Sequence, residues 1–494
     1  MAEIIVEKVD EVHLRIFTDD GLEQELSEYF TFDVPNAKWT PKFKARIWDG
    51  KIRLFNSLTK TLPYGLISHL YHFAKDNNHT VKLSFDDSQD ESITLEIVDA
   101  FIDSIPTVAR GVPLIVDEFQ RRAIYVALRY KRRVLLAATS AGKSLIIYYI
   151  IRWVLQNPDA KCILIVPTKS LVSQMFNDFI EYSQINGFDV YTEAQELYSG
   201  KPKEFTTRVL ISTWQSIYKN NKDFFNQFDC LIGDEAHGWN AKSCSELMLK
   251  CTQVRYKIGT SGTLQDAAVN KLQLQGLFGK VTDIVNTKQL MDAGRVTRMS
   301  IKCLLLQHPE HMRKALKGSE YKDEISHLVD YSPRNAFIKN LTLTMTGVTV
   351  VMFTFITRHA KPFYQKLLAE CGDRPVYFLD GSSSVEYRNE IKDKLATDVN
   401  PILITSYQLY STGINVPTIR NIILAAPTRS KIRILQTIGR GLRLHESKTQ
   451  FNLYDIADDL SYKSYKNSTL LQLIERVRIY NVQKFDYKIF KIPL

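Results

Sequence analysis

Cysteine is scarce in this chain, with 6 among 494 residues: Cys162, Cys230, Cys244, Cys251, Cys303 and Cys371. They form no C-x-x-C pair and no Cys/His run with zinc spacing, which excludes a disulfide framework and a structural zinc site. Reduced, mostly structural thiols of an intracellular protein are the reading that remains. Long apolar runs are also missing, and none approaches the ~20 residues that a helix needs to cross a bilayer. The opening stretch MAEIIVEKVDEVHLRIF lacks a charged start followed by an apolar core, so it does not read as a secretory signal. A cytoplasmic protein with no membrane partner is expected. There is no low-complexity tail and no short-period repeat.

Hydrophobic residues make up 45% and charged residues 24%, the balance of a globular protein, and the length suggests about three domains. The net charge of +10 favours polyanionic partners such as nucleic acid, although a merely basic surface fits composition equally well. The charge is uneven. Residues 1–110 hold 12 Lys+Arg against 19 Asp+Glu, while the remainder holds 52 against 35.

Three blocks emerge along the chain. Residues 1–110 mix short strands with a helix and form a small α/β domain ending in a linker near Pro106–Pro113. Over 111–285 helices alternate with the apolar runs RRVLLAA, KCILIVP, RVLIST, DCLIGDE and YKIGTSG. Over 286–460 the same grammar returns with VTVVMFTF, PVYFLDG, NPILITS and RNIILAA. Short continuous apolar strands separated by polar loops signal parallel sheets buried on both faces, so two doubly wound α/β domains are expected. Residues 461–494 read as a helix and a strand that pack back on the second of these domains.

Between RRVLLAA and the helical run LIIYYIIRWVLQ stands A-A-T-S-A-G-K-S, residues 137–144. Strand, loop and helix in that order is the setting of a phosphate-binding loop. Backbone N–H groups from Thr139, Ser140, Ala141 and Gly142 onward would cradle phosphates, Lys143 would reach the β/γ oxygens, and Ser144 would ligate Mg²⁺. The pattern departs from G-x-x-x-x-G-K-S/T at Ala137, and Ser140 stands where many such loops carry glycine.

Asp234-Glu235-Ala236-His237 follows the strand CLIG, so its carboxylates emerge at a strand's C-terminal end, where ligands bind in open parallel sheets. Asp234 would hold Mg²⁺ and Glu235 would orient and deprotonate the attacking water. An isolated Asp-Glu pair is more often a solvated turn. Its place after a phosphate loop in one α/β unit reverses that preference.

With these motifs the chain resembles superfamily 2 helicases of the DExH type over about residues 115–445. The resemblance implies two tandem RecA-like domains and an ATP hydrolase acting on nucleic acid. It further implies that Gln120 reads adenine, that Thr168 and Lys169 of P-T-K-S-L grip the nucleic-acid backbone, and that Thr213 and Gln215 of S-T-W-Q-S lie on the same track. His237, with Ser261 and Thr263 of S-G-T, would couple hydrolysis to movement, together with Gln436. Thr405, Ser406 and Gly413, in the stretch running to Ile414-Asn415, would face nucleotide and nucleic acid. Arg440 and Arg443 of Q-T-I-G-R-G-L-R would be the arginine fingers, three residues apart on one helix face.

In the acidic N-terminal block, KWTPKFKARIWDGKIR forms a basic island at residues 38–53. Lys42, Lys44 and Arg46 could bind phosphates while Trp48 and its aromatic neighbours stack or wedge. Equally, Trp48 and Phe43 could fill a small core beneath exposed cations. Together with F-x-x-R-I-W-D-G-K-I-R-L and L-P-Y-G-L, the chain is similar to phage recombination helicases of the UvsW type. That likeness implies a monomeric DNA-dependent ATPase of the host cytoplasm, supporting phage recombination, replication and repair. Its substrates would be forked, branched or partly single-stranded DNA, with RNA–DNA hybrids and phage recombination proteins as further candidate partners. The rival readings are an RNA helicase and an inactive ATP-binding scaffold.

Overall fold

A computed structural model of the chain describes residues 2–86, 90–198, 204–264, 267–413, 416–426, 428 and 430–494. Short strands open it. In β1 (Glu3–Lys8) Ile4 and Val6 face inward between exposed neighbours, and β2 (His13–Phe17) buries Leu14 and Ile16 in the same alternation. A period of two buries one face of a sheet. With β3 (Thr61–Pro63) and β4 (Thr80–Leu83) these strands form a four-stranded sheet of order β3-β2-β1-β4. Helices α1 (Asp20–Tyr29) and α2 (Ile67–Asp76) contribute Leu22, Leu26, Leu70 and Phe73 to its core.

This small domain is fastened to the next sheet through the L-P-Y-G-L segment and the turn between β1 and β2. A side chain at Gly65 would place its Cβ 2.0 Å from the Gln275 carbonyl oxygen, so only glycine permits this approach. The Tyr64 ring lies 4.2 Å from the Arg132 guanidinium, which also pairs with Glu11. Lys257, 1% exposed, donates to the Glu11 carbonyl at 2.6 Å. Helix α3 (Leu95–Asp103), which sequence groups with the N-terminal block, packs instead on α4 (Glu118–Tyr130), where Arg121 pairs with Asp99 and Asp103.

A seven-stranded parallel sheet follows: β5 (Arg132–Ala137), β6 (Cys162–Val166), β7 (Ala194–Leu197), β8 (Val209–Thr213), β9 (Cys230–Gly233), β10 (Tyr256–Ser261) and β11 (Val281–Val285). Its order is β7-β8-β6-β9-β10-β5-β11. Every residue of β6, β8 and β9 is buried, as expected of strands covered on both faces. The helices that bear on the site are α5 (Lys143–Val154), α6 (Lys169–Ser183) and α7 (Ala268–Phe278).

The second unit, from Asn286 onward, repeats the plan. Its strands are β12 (Arg298–Gln307), β13 (Val348–Phe353), β14 (Val376–Phe378), β15 (Ile402–Ser406), β16 (Ile419–Leu424), β17 (Gln450–Asp459) and β18 (Tyr487–Pro493). Counted along the chain, both sheets run third, fourth, second, fifth, sixth, first, seventh. The terminal strand β18 thus fills, beside β12, the place that β11 fills beside β5. Helices α8 (Tyr407–Gly413), α9 (Lys431–Gly441) and α10 (Ser468–Val482) pack against β15, β16 and β17 respectively.

Candidate nucleotide and nucleic-acid site

Strand β5 delivers the phosphate loop. Ala137 is its buried last residue, so the alanine that breaks the sequence pattern sits in extended strand, where glycine is not needed. The turn falls later: Ser140 has φ 69° and Gly142 φ 73°. That left-handed conformation is free for glycine and strained for serine, which explains why Ser140 looks out of place in the motif. Gly142 is favoured by that φ, and a Cβ there would also meet Gln120 Nε2 at 2.4 Å and displace its amide.

Gln120 Nε2 donates to the Ala141 carbonyl at 2.9 Å, and its Oε1 accepts from the Asp117 N–H at 2.9 Å. Both ends of the amide are held by backbone. The structure therefore gives Gln120 a bracing position, with one N–H and one lone pair of its amide used by the backbone. Lys143 Nζ donates to the Ala137 carbonyl at 3.4 Å, folding the ammonium over the loop. Ser144 Oγ lies 2.8 Å from Tyr182 Oη, a partner that no motif signals.

The acid pair stands at the end of β9. Asp234 is buried and accepts from Thr260 Oγ1 at 2.7 Å. Burial and the adjacent Glu235 charge push its carboxyl up, against the pull of the Lys143 ammonium. The Lys143 charge acting on Asp234 puts this carboxylate beside the phosphate loop. Glu235 has φ 48°, turning its side chain out of the strand direction. His237 Nδ1 lies 3.2 Å from Glu235 Oε2 and 3.0 Å from Ser261 Oγ. Ser261 Oγ donates to the Thr263 carbonyl at 2.7 Å, so the shared proton belongs to His237 Nδ1. The four residues form one connected chain from the acid box to the loop after β10.

Two further loops follow β6 and β8, which are hydrogen-bonded neighbours with Val166 opposite Thr213. Thr168 caps α6, accepting from the Leu171 N–H at 3.4 Å, and Lys169 is exposed. Gln215 is exposed and its Nε2 donates to the Pro167 carbonyl at 3.5 Å, tying the two loops together. Thr213 is buried with its hydroxyl 2.9 Å from Ser216 Oγ. Its side chain is therefore not presented to a ligand, a correction to the sequence expectation.

In the second unit Thr405 is likewise fully buried, next to the last residue of β15, and Ser406, the last, is half-buried. Ile414 and Asn415 lie outside the described residues, and of Gly413 only its place at the end of α8 is described. Gln436 and Arg440 lie one turn apart on α9, both half-buried, while Ile434 and Ile438 on its other side are buried. Arg443 falls beyond the helix, whose C-cap is Leu442, because α9 stops at Gly441. It does not share a helix face with Arg440 as the spacing suggested. Thr297 holds this exit, its N–H donating to the Leu442 carbonyl at 2.8 Å and its hydroxyl to the Arg443 carbonyl at 3.1 Å. Lys448, which no motif signals, donates to the Gly441 carbonyl at 2.9 Å and the Pro417 carbonyl at 2.8 Å. Burial and the Arg443 charge lower its ammonium to about 8.

The N-terminal island divides between its two readings. Trp48 is half-buried and its indole N–H donates to the Lys51 carbonyl at 2.8 Å, a structural use. Trp39 is 66% exposed, with the Lys38 and Lys44 ammonium groups 5.4 and 5.8 Å from its ring, and Ile47 is 76% exposed. Lys42, Lys44 and Arg46 are exposed. Trp39, rather than Trp48, is the aromatic available to a ligand.

Comparison with known proteins places these features. Residues 3–86 match the N-terminal domain of DNA helicase UvsW, residues 96–266 the res subunit of type III restriction enzymes, and residues 333–445 the helicase conserved C-terminal domain. The ATP-dependent DNA helicase uvsW of Enterobacteria phage T4 is 30% identical over 492 residues, covering 96% of each chain. The crystal structure of T4 UvsW superposes with a TM-score of 0.53 at 27% identity over 99% of both chains. A type ISP restriction-modification enzyme bound to DNA matches at TM-score 0.57 and 14% identity, over 77% of this chain and 31% of that one, a likeness of fold alone. Near-complete mutual coverage at this identity, with the N-terminal domain included, means that the chain belongs to the UvsW family of DNA helicases.

Proposed function

We propose that this protein hydrolyses ATP to translocate on DNA and thereby unwinds or branch-migrates forked and recombination-intermediate structures. The carrying observation is the common edge of the first large sheet. The nucleotide loops after β5 and β9 and the nucleic-acid loops after β6 and β8 all leave the C-terminal ends of one parallel sheet, with the Glu235–His237–Ser261–Thr263 chain at its β9–β10 end. Likeness to the T4 helicase along the whole chain supports the same reading.

In this reading backbone N–H groups from Thr139 to Ser144 and the N-terminus of α5 bind the phosphates, and Lys143 neutralises their terminal oxygens. Ser144 and Asp234 hold Mg²⁺, which offsets phosphate charge when bound. Glu235 orients the attacking water and takes its proton. The family likeness implies arginine fingers at Arg440 and Arg443, with Gln436 one turn before Arg440 on α9. Thr168, Lys169, Gln215 and Ser406 grip backbone and read no base. The preference for DNA rests on the family likeness and on the N-terminal island. The phage relative supports action in the host cytoplasm. Among the described residues no helix is long and apolar enough to cross a membrane.

ATPase rates with single-stranded, duplex, forked and four-way DNA and with matched RNA test this. Strong stimulation by branched DNA and little by RNA is expected. Preferential stimulation by RNA would move the assignment to RNA helicases, and no hydrolysis with any ligand would leave an ATP-binding scaffold.

A further inference from the structure

We propose that Tyr182 is a positioning residue for the metal-ligating hydroxyl of Ser144; this rests on the assignment of Ser144 to the metal. Ser144 opens α5 directly after Lys143, and Tyr182 closes the last turn of α6. Their oxygens lie 2.8 Å apart. Tyr182 is 8% exposed, and its ring packs edge-on against Tyr148, 5.5 Å between centroids, one turn beyond Ser144 on α5. The sequence of α6, KSLVSQMFNDFIEYS, contains neither glycine nor proline, so a rigid helix and not a loop holds the phenol in place.

A hydroxyl that gives a lone pair to a cation must direct its proton elsewhere. In this site Tyr182 Oη is the atom placed to accept it. The bond fixes the Ser144 rotamer and leaves a lone pair for the metal, as second-sphere partners do for ligating side chains generally. The phosphate-loop pattern does not contain this residue: it comes 38 positions later in sequence, at the far end of a helix that begins beside Thr168.

The test uses the full chain and a fluorescent ADP analogue, titrated in EDTA and again in Mg²⁺. Tyr182→Phe keeps the ring and removes only the hydroxyl. It is expected to bind nucleotide in EDTA like the parent, which also reports an intact fold, and to lose about tenfold of the Mg²⁺-dependent gain in affinity. Ser144→Ala is expected to lose that gain as well, and Ser144→Ala/Tyr182→Phe to lose no more than Ser144→Ala alone. A parental Mg²⁺ gain in Tyr182→Phe alongside a loss in Ser144→Ala overturns the role of Tyr182 and leaves Ser144 as ligand. Additive losses in the double variant show that Tyr182 acts by another route and also overturn the proposal. A full gain in Ser144→Ala removes the ligand assignment itself and Tyr182 with it.

Discussion

Gln120 and Ala141 are joined by one hydrogen bond of 2.9 Å that ties the start of α4 to the crest of the phosphate loop. The same amide closes a capping box with Asp117, so a single side chain sets both the helix start and the loop. Replacing it with alanine leaves a backbone carbonyl and a backbone N–H without partners, each worth about 1 kcal/mol. Gln120→Ala is therefore expected to weaken nucleotide binding by about tenfold while sparing turnover at saturation. Titration with ATP analogues and steady-state kinetics separate the two. A loss confined to kcat would show that Gln120 acts on chemistry and not on the loop.

Glu235 and Lys143 should fail differently. Glu235→Gln keeps shape and removes the base, so ATP is expected to bind with near-parental affinity and remain uncleaved, with hydrolysis down at least about a hundredfold. Lys143→Ala removes charge from the phosphate site, so binding and hydrolysis are both expected to fall. Filter binding of labelled ATP beside single-turnover hydrolysis distinguishes the variants, and undiminished turnover in either removes that residue from its role.

Lys257 makes stability depend on pH. Burial, reinforced by the Arg132 charge and opposed by Cys251, Glu11 and Asp10, lowers its ammonium to about 7 from 10.5. The unfolded chain then binds the proton more tightly than the folded one, so stability rises with pH between about 7 and 10.5 and this contribution is flat below 7. The slope from this group reaches about 1.4 kcal/mol per pH unit. Thermal melts from pH 7 to 9 are expected to shift upward in the parent and less in Lys257→Met; equal shifts would assign the pH dependence to other groups.

The basic island offers a salt-dependence test. Lys42, Lys44 and Arg46 are exposed around Trp39, and replacing all three with alanine is expected to weaken DNA binding and to reduce the slope of log affinity against log salt by about two to three. Trp39→Ala should weaken binding without changing that slope. An unaltered slope in the triple variant would leave the island as surface.

Much of this was legible in the sequence, and the gaps have physical causes. The strands that carry motifs are uninterrupted apolar runs, and the structure places them where periodicity did. Strands β12 and β17 escaped that reading because charge breaks their runs. Asp455 and Asp458 in β17 are buried against Arg476 and Arg334, with Nε–Oδ distances of 2.9–3.0 Å, and no local pattern announces partners about 20 and 124 residues away. The phosphate loop and acid box were visible because their chemistry is packed into consecutive residues. Tyr182 and Lys448 were not, since each reaches its site from the end of a different element. Thr213 and Thr405 show the reverse limit, since a motif names residue types and says nothing of their burial.

The shared strand order has a consequence for how the chain can be made. The first large sheet is complete in sequence at Val285, whereas the second needs Tyr487–Pro493 to occupy the edge beside β12. During vectorial synthesis at about 5–20 residues per second, that interval leaves the second sheet lacking its last strand for about 10–40 s after the first can close. Over most of that window β12 has neither neighbour, because β17 and β18 both follow it in sequence. β5 waits in the same way for β10 and β11, so each unit exposes its first strand until its last strands are made, and shielding by chaperones is called for twice along the chain.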